Sequence, residues 1–337
     1  MRDRNVGVAS ARAAGRSTIR LARLAVASLG MLVTGHVPAS QPTVDRAADR
    51  DTLLRAAESA DPRQFGDQFQ IYRTLLDRDA GDPDALHGLA NLFTTNGIWA
   101  DCVEHAGRGT RVVSPKQART YMLLGICQDG LNDKEQALQS LGRAIELAPE
   151  DALPLFHRAT TLARMGRNED AKGDLESAIR IDPHFTPAYL NYAKLLDSEF
   201  RDGAAVAMYM AFLSLADDPQ PLQEAATRIR VLVERQTTTS PDGRIRMNLR
   251  LPPGSAVQES ALSVALGTTA STVVNDTEAA DVMQATLETF LQIIAGLAHK
   301  EAGFFSERVL VPLERLHTRG QGGNFVRSIV ATAREGR

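Results

Sequence analysis

Apolar residues fall at helical spacing along most of this chain, in short blocks separated by turn residues. Leu53, Leu54 and Ala57 mark one apolar face between Ala47 and Ala60, and Asp61-Pro62 ends that helix. Phe69, Tyr72, Leu75 and Leu76 mark a second helix over Phe65–Asp79. Gly81-Asp82-Pro83 then opens a third block, where Leu86, Leu89, Ala90 and Phe93 share a face and Asn96-Gly97 makes a tight turn. The rhythm changes after residue 236. Thr237 to Gly243 is a polar break, and beyond it Ile245, Met247, Leu249 and Leu251 alternate with Arg246, Asn248 and Arg250. This period of two predicts an extended segment, closed by Pro252-Pro253-Gly254. Helical spacing returns over 256–274, 278–299, 306–318 and 324–333, with Phe290, Leu291, Ile294, Leu310, Leu313, Ile329 and Val330 among the expected core.

Inside the first region the pattern repeats. Tyr121, Leu124, Gly125, Ala137, Leu141, Ala144 and Pro149 lie in the unit 118–151, and a shift of 34 residues gives Leu155, Arg158, Ala159, Ala171, Leu175, Ala178 and Pro183. Small residues recur where small ones stood. A fixed period of this size marks stacked helix–turn–helix units, none of which buries its apolar face alone. A further unit over Thr186–Pro219 keeps the pattern with Tyr189, Tyr192, Ala193, Leu196, Ala205, Tyr209 and Phe212. Leu222 to Gln236, with Ile229, Leu232 and Val233, reads as a capping helix.

These residues resemble the tetratricopeptide repeat family over about 83–219. The resemblance implies an all-α fold: a right-handed solenoid whose concave face is lined by the first helix of each repeat. The family's groove places then fall on His87, Asn91, Arg119, Met122, Ile126, Phe156, Thr160, Arg164, Leu190 and Lys194, with Leu153 beside them. Met122, Ile126, Leu153, Phe156 and Leu190 are apolar there, while Arg119, Arg164 and Lys194 offer charges to a carboxylate or to backbone carbonyls. A peptide or helix groove with an apolar floor follows as an expectation. The competing expectation is that the C-terminal segment or the connector 245–251 covers this floor. One subgroup of the family grips the C-terminal carboxylate of heat-shock chaperones. Asn91 fits its clamp, but His87, Leu123 and Leu153 stand at the other places, so that clamp is absent. The family's stacking also sets Cys102, early in one repeat's second helix, level with Cys127, late in the next repeat's first helix. Either the two cysteines are bridged or Cys102 simply fills a small hole in its own repeat.

Composition adds a compartment. The net charge of −3 hides six arginines and one acid in residues 1–39, so removing that segment would leave −8. Such a balance argues against nucleic-acid binding by charge. The basic stretch, the mostly apolar Leu24–Thr34 and the small residues of Val37-Pro38-Ala39 together predict a signal segment cleaved after Ala39. Export to a bacterial periplasm or beyond would permit a disulfide. The apolar run is shorter than the roughly 20 residues that span a bilayer. The chain thus reads as 1–39 signal, 40–236 solenoid, 237–254 connector and 255–337 helical segment.

Catalytic patterns are missing from the sequence. No phosphate-binding Gly-x-x-x-x-Gly-Lys-Ser/Thr loop and no Gly-x-Ser-x-Gly elbow occur, and the seven histidines show no zinc-protease spacing. The expected function is a non-enzymatic scaffold that binds a protein or peptide, without cofactor. The alternative is a structural module whose C-terminal helices self-associate into a homodimer.

Overall fold

The computed structural model describes residues 49–60, 65–239, 245–248, 257–273, 279–299 and 302–335. The expected signal segment and the linker after it lie outside the described residues. Among the described residues eleven helices come first: α1 Arg50–Ser59, α2 Phe65–Arg78, α3 Pro83–Thr95, α4 Trp99–Gly109, α5 Gln117–Gly130, α6 Lys134–Leu147, α7 Ala152–Arg164, α8 Asn168–Ile181, α9 Thr186–Ser198, α10 Asp202–Leu213 and α11 Pro219–Glu234. Two short strands follow, β1 Thr237–Thr239 and β2 Ile245–Met247, and then α12 Val257–Val273, α13 Ala279–Leu297, α14 Val311–Thr318 and α15 Gly322–Glu335.

Local chemistry explains the helix starts. Asp82 accepts hydrogen bonds from the Asp84 and Ala85 amides at the head of α3, with Pro83 at the first helical place, where a missing N–H costs nothing. Asp151 caps α7 through the Leu153 amide, and Asp218 caps α11 through that of Gln220. The two-stranded ribbon departs from expectation. Thr237–Thr239 falls inside the expected polar break, yet it pairs antiparallel with 245–247, Thr238 opposite Arg246. Three β-branched threonines suit extended backbone, and the alternating segment after the break supplies the partner strand. The ribbon packs on α12.

Pairs α3–α4, α5–α6, α7–α8 and α9–α10 form four antiparallel hairpins, each stacked on the next. The second hydrophobic layer differs in kind. Every side chain of α10 from Asp202 to Phe212 is buried. One side of α10 meets α9, and the other meets α12, the turn before α14, and α14 itself. Helix α11 is likewise sandwiched, with α15 across it. One continuous core therefore runs from Ala152 to Ala333, joining repeat residues such as Tyr189, Met208 and Leu232 to Leu262, Phe290, Leu310 and Ile329. A smaller core around Leu89, Phe93, Cys102, Ala106 and Leu123 holds the first repeats.

Two features fix the C-terminal layer. A Cβ at Gly203 would sit 2.2 Å from the Leu262 carbonyl carbon, so α10 and α12 cross with backbones in close approach. Beside that crossing, Arg201 pairs with Glu259 of α12, while Glu199 lies 3.1 Å from Arg201 and 3.0 Å from Lys172 Nζ. Ahead of α14, Ser306–Leu310 forms a π turn. Pro312 explains it: the ring has no N–H and would strike the preceding turn, which widens instead.

Replacing Gly203 by Ala should cost about 1–3 kcal/mol, since the added methyl has only backbone to displace. The matched change Gly173→Ala, in α8 with nothing within 4 Å, should stabilise the protein, by about 0.5–1 kcal/mol. Urea denaturation followed by circular dichroism measures both, and equal midpoints would refute the close crossing.

Candidate binding groove

Contacts between helices set the curvature. Among the described residues α3, α5, α7 and α9 touch one another in series, whereas α4, α6, α8 and α10 meet each other at most marginally. A stack closer along one edge bends toward it. The first helices therefore line the inner face. None of α12–α15 packs extensively on α3, α5 or α7; those helices sit on α10 and α11, at the end of the array.

The expected groove residues divide into three groups. Met122, Ile126, Phe156 and Leu190 are half-buried on the inner face, and Leu153 is 38% exposed. Phe156 and Leu190 lean on the main core, and Phe156 meets Phe185 edge to face with centroids 5.4 Å apart. Thr160, Arg164 and Lys194 come together around a cavity of about 340 Å³ between α7 and α9, floored by Ala159, Leu175 and Leu195. Thr160 Oγ1 donates to the Phe156 carbonyl and accepts from Asn191 Nδ2 at 3.4 Å. His87, Asn91 and Arg119 lie apart from that cavity. His87 spans α3 and α5, its Nδ1 3.0 Å from Thr120 Oγ1, and Asn91 is exposed. Arg119 borders a second, wider cavity of about 730 Å³ with Leu153, Ile181 and Phe185, at the edge where the repeats turn over.

Two of the cations, Arg164 and Lys194, are engaged. Arg164 pairs with Asp129, and Lys194 Nζ lies 2.8 Å from Glu224. A third cavity, about 500 Å³, continues from the first through Lys194 and Ser198 to Phe200, Tyr209, Arg228 and Arg235, with Asp197 and Glu224 in the same wall. Ser198 stands at one of the family's groove places; sequence reasoning missed Asn191, Phe200, Arg228 and Arg235. The arginines stand on α11, which periodicity marks only as a cap. Phe200 carried a legible signal, because it occupies the turn place held by Asn132 and Gly166 in the preceding repeats.

Buried ionisable groups serve packing. Burial holds the His87 imidazole down to about 4, reinforced by the charges of Lys116 and Arg119. Burial also lowers His157 to about 4, against the opposing pull of Asp129 and Asp151. Both rings are neutral at neutral pH. The described residues contain no group of three or more His, Cys, Asp or Glu side chains placed to hold a metal. Cys102 and Cys127 are joined by a disulfide across the α4–α5 step, with Cα atoms 6.1 Å apart and the Thr94 hydroxyl against both sulfurs.

An α-solenoid of paired helices, its inner face uncovered among the described residues, is a repeat-protein architecture, and the sequence comparison names the repeat. Residues 118–151 match the tetratricopeptide repeat. Cellulose synthase operon protein C of Pseudomonas fluorescens (strain SBW25) is 26% identical over 184 residues, 52% of this chain and 14% of that protein. A tetratricopeptide repeat and J domain-containing co-chaperone of Fusarium oxysporum f. sp. lycopersici is 30% identical over 96 residues, 28% of this chain and 18% of the relative. The chain thus spans under a fifth of the length of these two relatives. Among solved structures, a thermophilic tetratricopeptide repeat protein of Thermus thermophilus aligns at TM-score 0.45 and 21% identity, over 55% of this chain and 98% of that one.

Two measurements follow. Alkylation without reductant should leave the intact mass unchanged, and alkylation after denaturing reduction should add two groups. Reduction should lower stability by about 3 kcal/mol for a loop of this length. The histidines give a pH signature. Unfolded histidine titrates near 6.5, so below that pH the unfolded chain binds protons that the native chain refuses until about 4. Stability should be full above about pH 7 and fall as pH drops from 6.5 toward 4. In His157→Asn that decline should be shallower in urea midpoints taken across the range.

Proposed function

We propose that this chain is a non-enzymatic scaffold of the bacterial cell envelope that holds a protein or peptide partner on the face lined by α3, α5, α7 and α9. The observation that carries the reading is an inner face uncovered among the described residues: half-buried Met122 and Ile126, exposed Leu153, and a cavity between α7 and α9 rimmed by polar and cationic side chains. Apolar floor with polar rim is the composition that lets an extended or helical segment gain area and register together. The tetratricopeptide architecture supports it, since such arrays present a surface and no catalytic centre.

Export is part of the proposal. It rests on the basic stretch before Leu24, the apolar Leu24–Thr34 and the small residues of Val37-Pro38-Ala39. The Cys102–Cys127 bridge supports it, because disulfides persist in oxidising compartments. Self-association through the C-terminal helices has less behind it: Leu266, Leu287, Phe290, Leu313 and Ile329 are already buried within the chain.

The test compares partner capture by the full chain and by Met122→Glu with Thr160→Glu, two substitutions on the inner face. Capture from an envelope extract should fall at least about tenfold, as when one hot-spot contact is lost, with the helical circular dichroism unchanged. Unchanged capture would remove the groove as the site. The exported form should begin at Ser40 by mass.

A further inference from the structure

The four turns that join first to second helices share one backbone shape. Gly97, Asn132, Gly166 and Phe200 all adopt positive φ, at 68°, 64°, 74° and 60°. Glycine and asparagine enter that region readily, but a bulky aromatic is strained there. Such strain persists only where the surroundings impose it, and it clusters at functional sites. Phe200 is also 46% exposed, with the Arg235 guanidinium 5.6 Å from its ring centroid. It stands on the wall of the 500 Å³ cavity that continues the groove past Lys194 and Ser198.

The charges around this end are arranged unequally. Asp129 is 9% exposed against 59% for its partner Arg164. Asp197 is 7% exposed, lying under Arg228 and Arg235 at 41% and 25%. In each pair the carboxylate is the more buried partner, with Arg164 exposed and Arg228 and Arg235 half-buried. Arg228 Nε is 2.9 Å from Asp197 Oδ2, and Arg235 Nε is 2.8 Å from Asp202 Oδ2, so both arginines are anchored from below. Lys194, 43% exposed, adds a further cation, and Glu224 is the acid displayed among them. This end thus presents Lys194, Arg228 and Arg235 with Glu224 among them, beside an exposed ring, and the Thr160 and Ser198 hydroxyls and the Asn191 amide line the approach.

We propose that the α9–α11 end of the groove binds an acidic segment of the partner polypeptide that places one aromatic or large apolar side chain against Phe200. Carboxylates of the segment pair with Lys194, Arg228 and Arg235, and the apolar side chain fills the cavity beside the Phe200 ring. A cavity of this size takes such a side chain with its neighbours. The proposal rests on the groove reading and narrows it to a partner chemistry.

Three fluorescein-labelled nonapeptides test it on the full chain by anisotropy: aspartates alternating with serines around a central phenylalanine, the same with lysines for aspartates, and the acidic peptide with alanine for phenylalanine. The first should bind about tenfold or more tighter than the others, and raised salt should weaken it. Lys194→Glu and Phe200→Gly should each weaken it about tenfold. Phe200→Gly should meanwhile keep or raise the thermal midpoint, because glycine relieves the strained turn. Equal affinities for acidic and basic peptides, no peptide binding, or indifference to both substitutions would overturn the proposal. A lowered midpoint in Phe200→Gly would assign the ring to packing and overturn it too. Failure of the groove reading itself shows separately, as partner capture indifferent to Met122→Glu and Thr160→Glu.

Discussion

Helix α10 cannot exist at a surface. Residues Asp202 to Phe212 are buried without exception, and apolar side chains surround the axis. A helix apolar on all sides must be enclosed. The repeats supply one side of the enclosure through α9, and α11, α12, the π turn and α14 supply the rest. This one demand explains the close crossing at Gly203, the Arg201–Glu259 pair beside it, and the single core that runs from the third repeat into the C-terminal helices. It also explains the polar cluster at the same place. Asp202 enters α10 buried, and a buried carboxylate is costly unless paired. Arg235 and Gln236 meet it, and Arg235 reaches on to Asp197.

The geometry of that enclosure determines what stays available. The C-terminal layer takes the place where a fifth hairpin would stack, so its apolar surface is spent on α10 and α11. The inner edges of α3, α5 and α7 keep their exposure. Anchoring Asp202 and Asp197 also fixes Arg228 and Arg235 with their outer edges toward solvent, next to the groove's end. A stability requirement in the core thus orients charge at a surface, with no separate device.

Much of the fold was legible because its signals are local. The spacing of small and large residues over 118–185 marked the hairpins, and asparagine and glycine marked their turns. The helices after 256 were legible from period alone. Their docking was not, although Gly203-Ala204-Ala205-Val206-Ala207-Met208 reads in hindsight as a helix without a polar face. The ribbon was half legible: alternation over 245–251 pointed to extended backbone, but three threonines in a polar stretch looked like a break. Among groove residues, the inner-face places of Met122, Ile126 and Phe156 were readable from repeat register. Which of them share a cavity depended on helix spacing, and the involvement of α11 depended on tertiary packing that no periodicity records.

The disulfide shows how register and packing interact. Cys102 occupies the small place filled by Ala137, Ala171 and Ala205 in the later repeats, and each of the four is fully buried. Cys127 occupies the place filled by Thr161 and Leu195, also buried. The same two places in later repeats need no covalent link. They lie in or beside the large core that the C-terminal layer completes, whereas the first repeats have only the small cluster around Leu89, Phe93 and Ala106. Nearest-neighbour contacts set the stability of such arrays, so the end far from the cap is the one that opens first. A bond across the α4–α5 step acts on that weak end by constraining the unfolded chain. The two ends of the groove are thus held by different means, covalently at one and by an enclosing layer at the other.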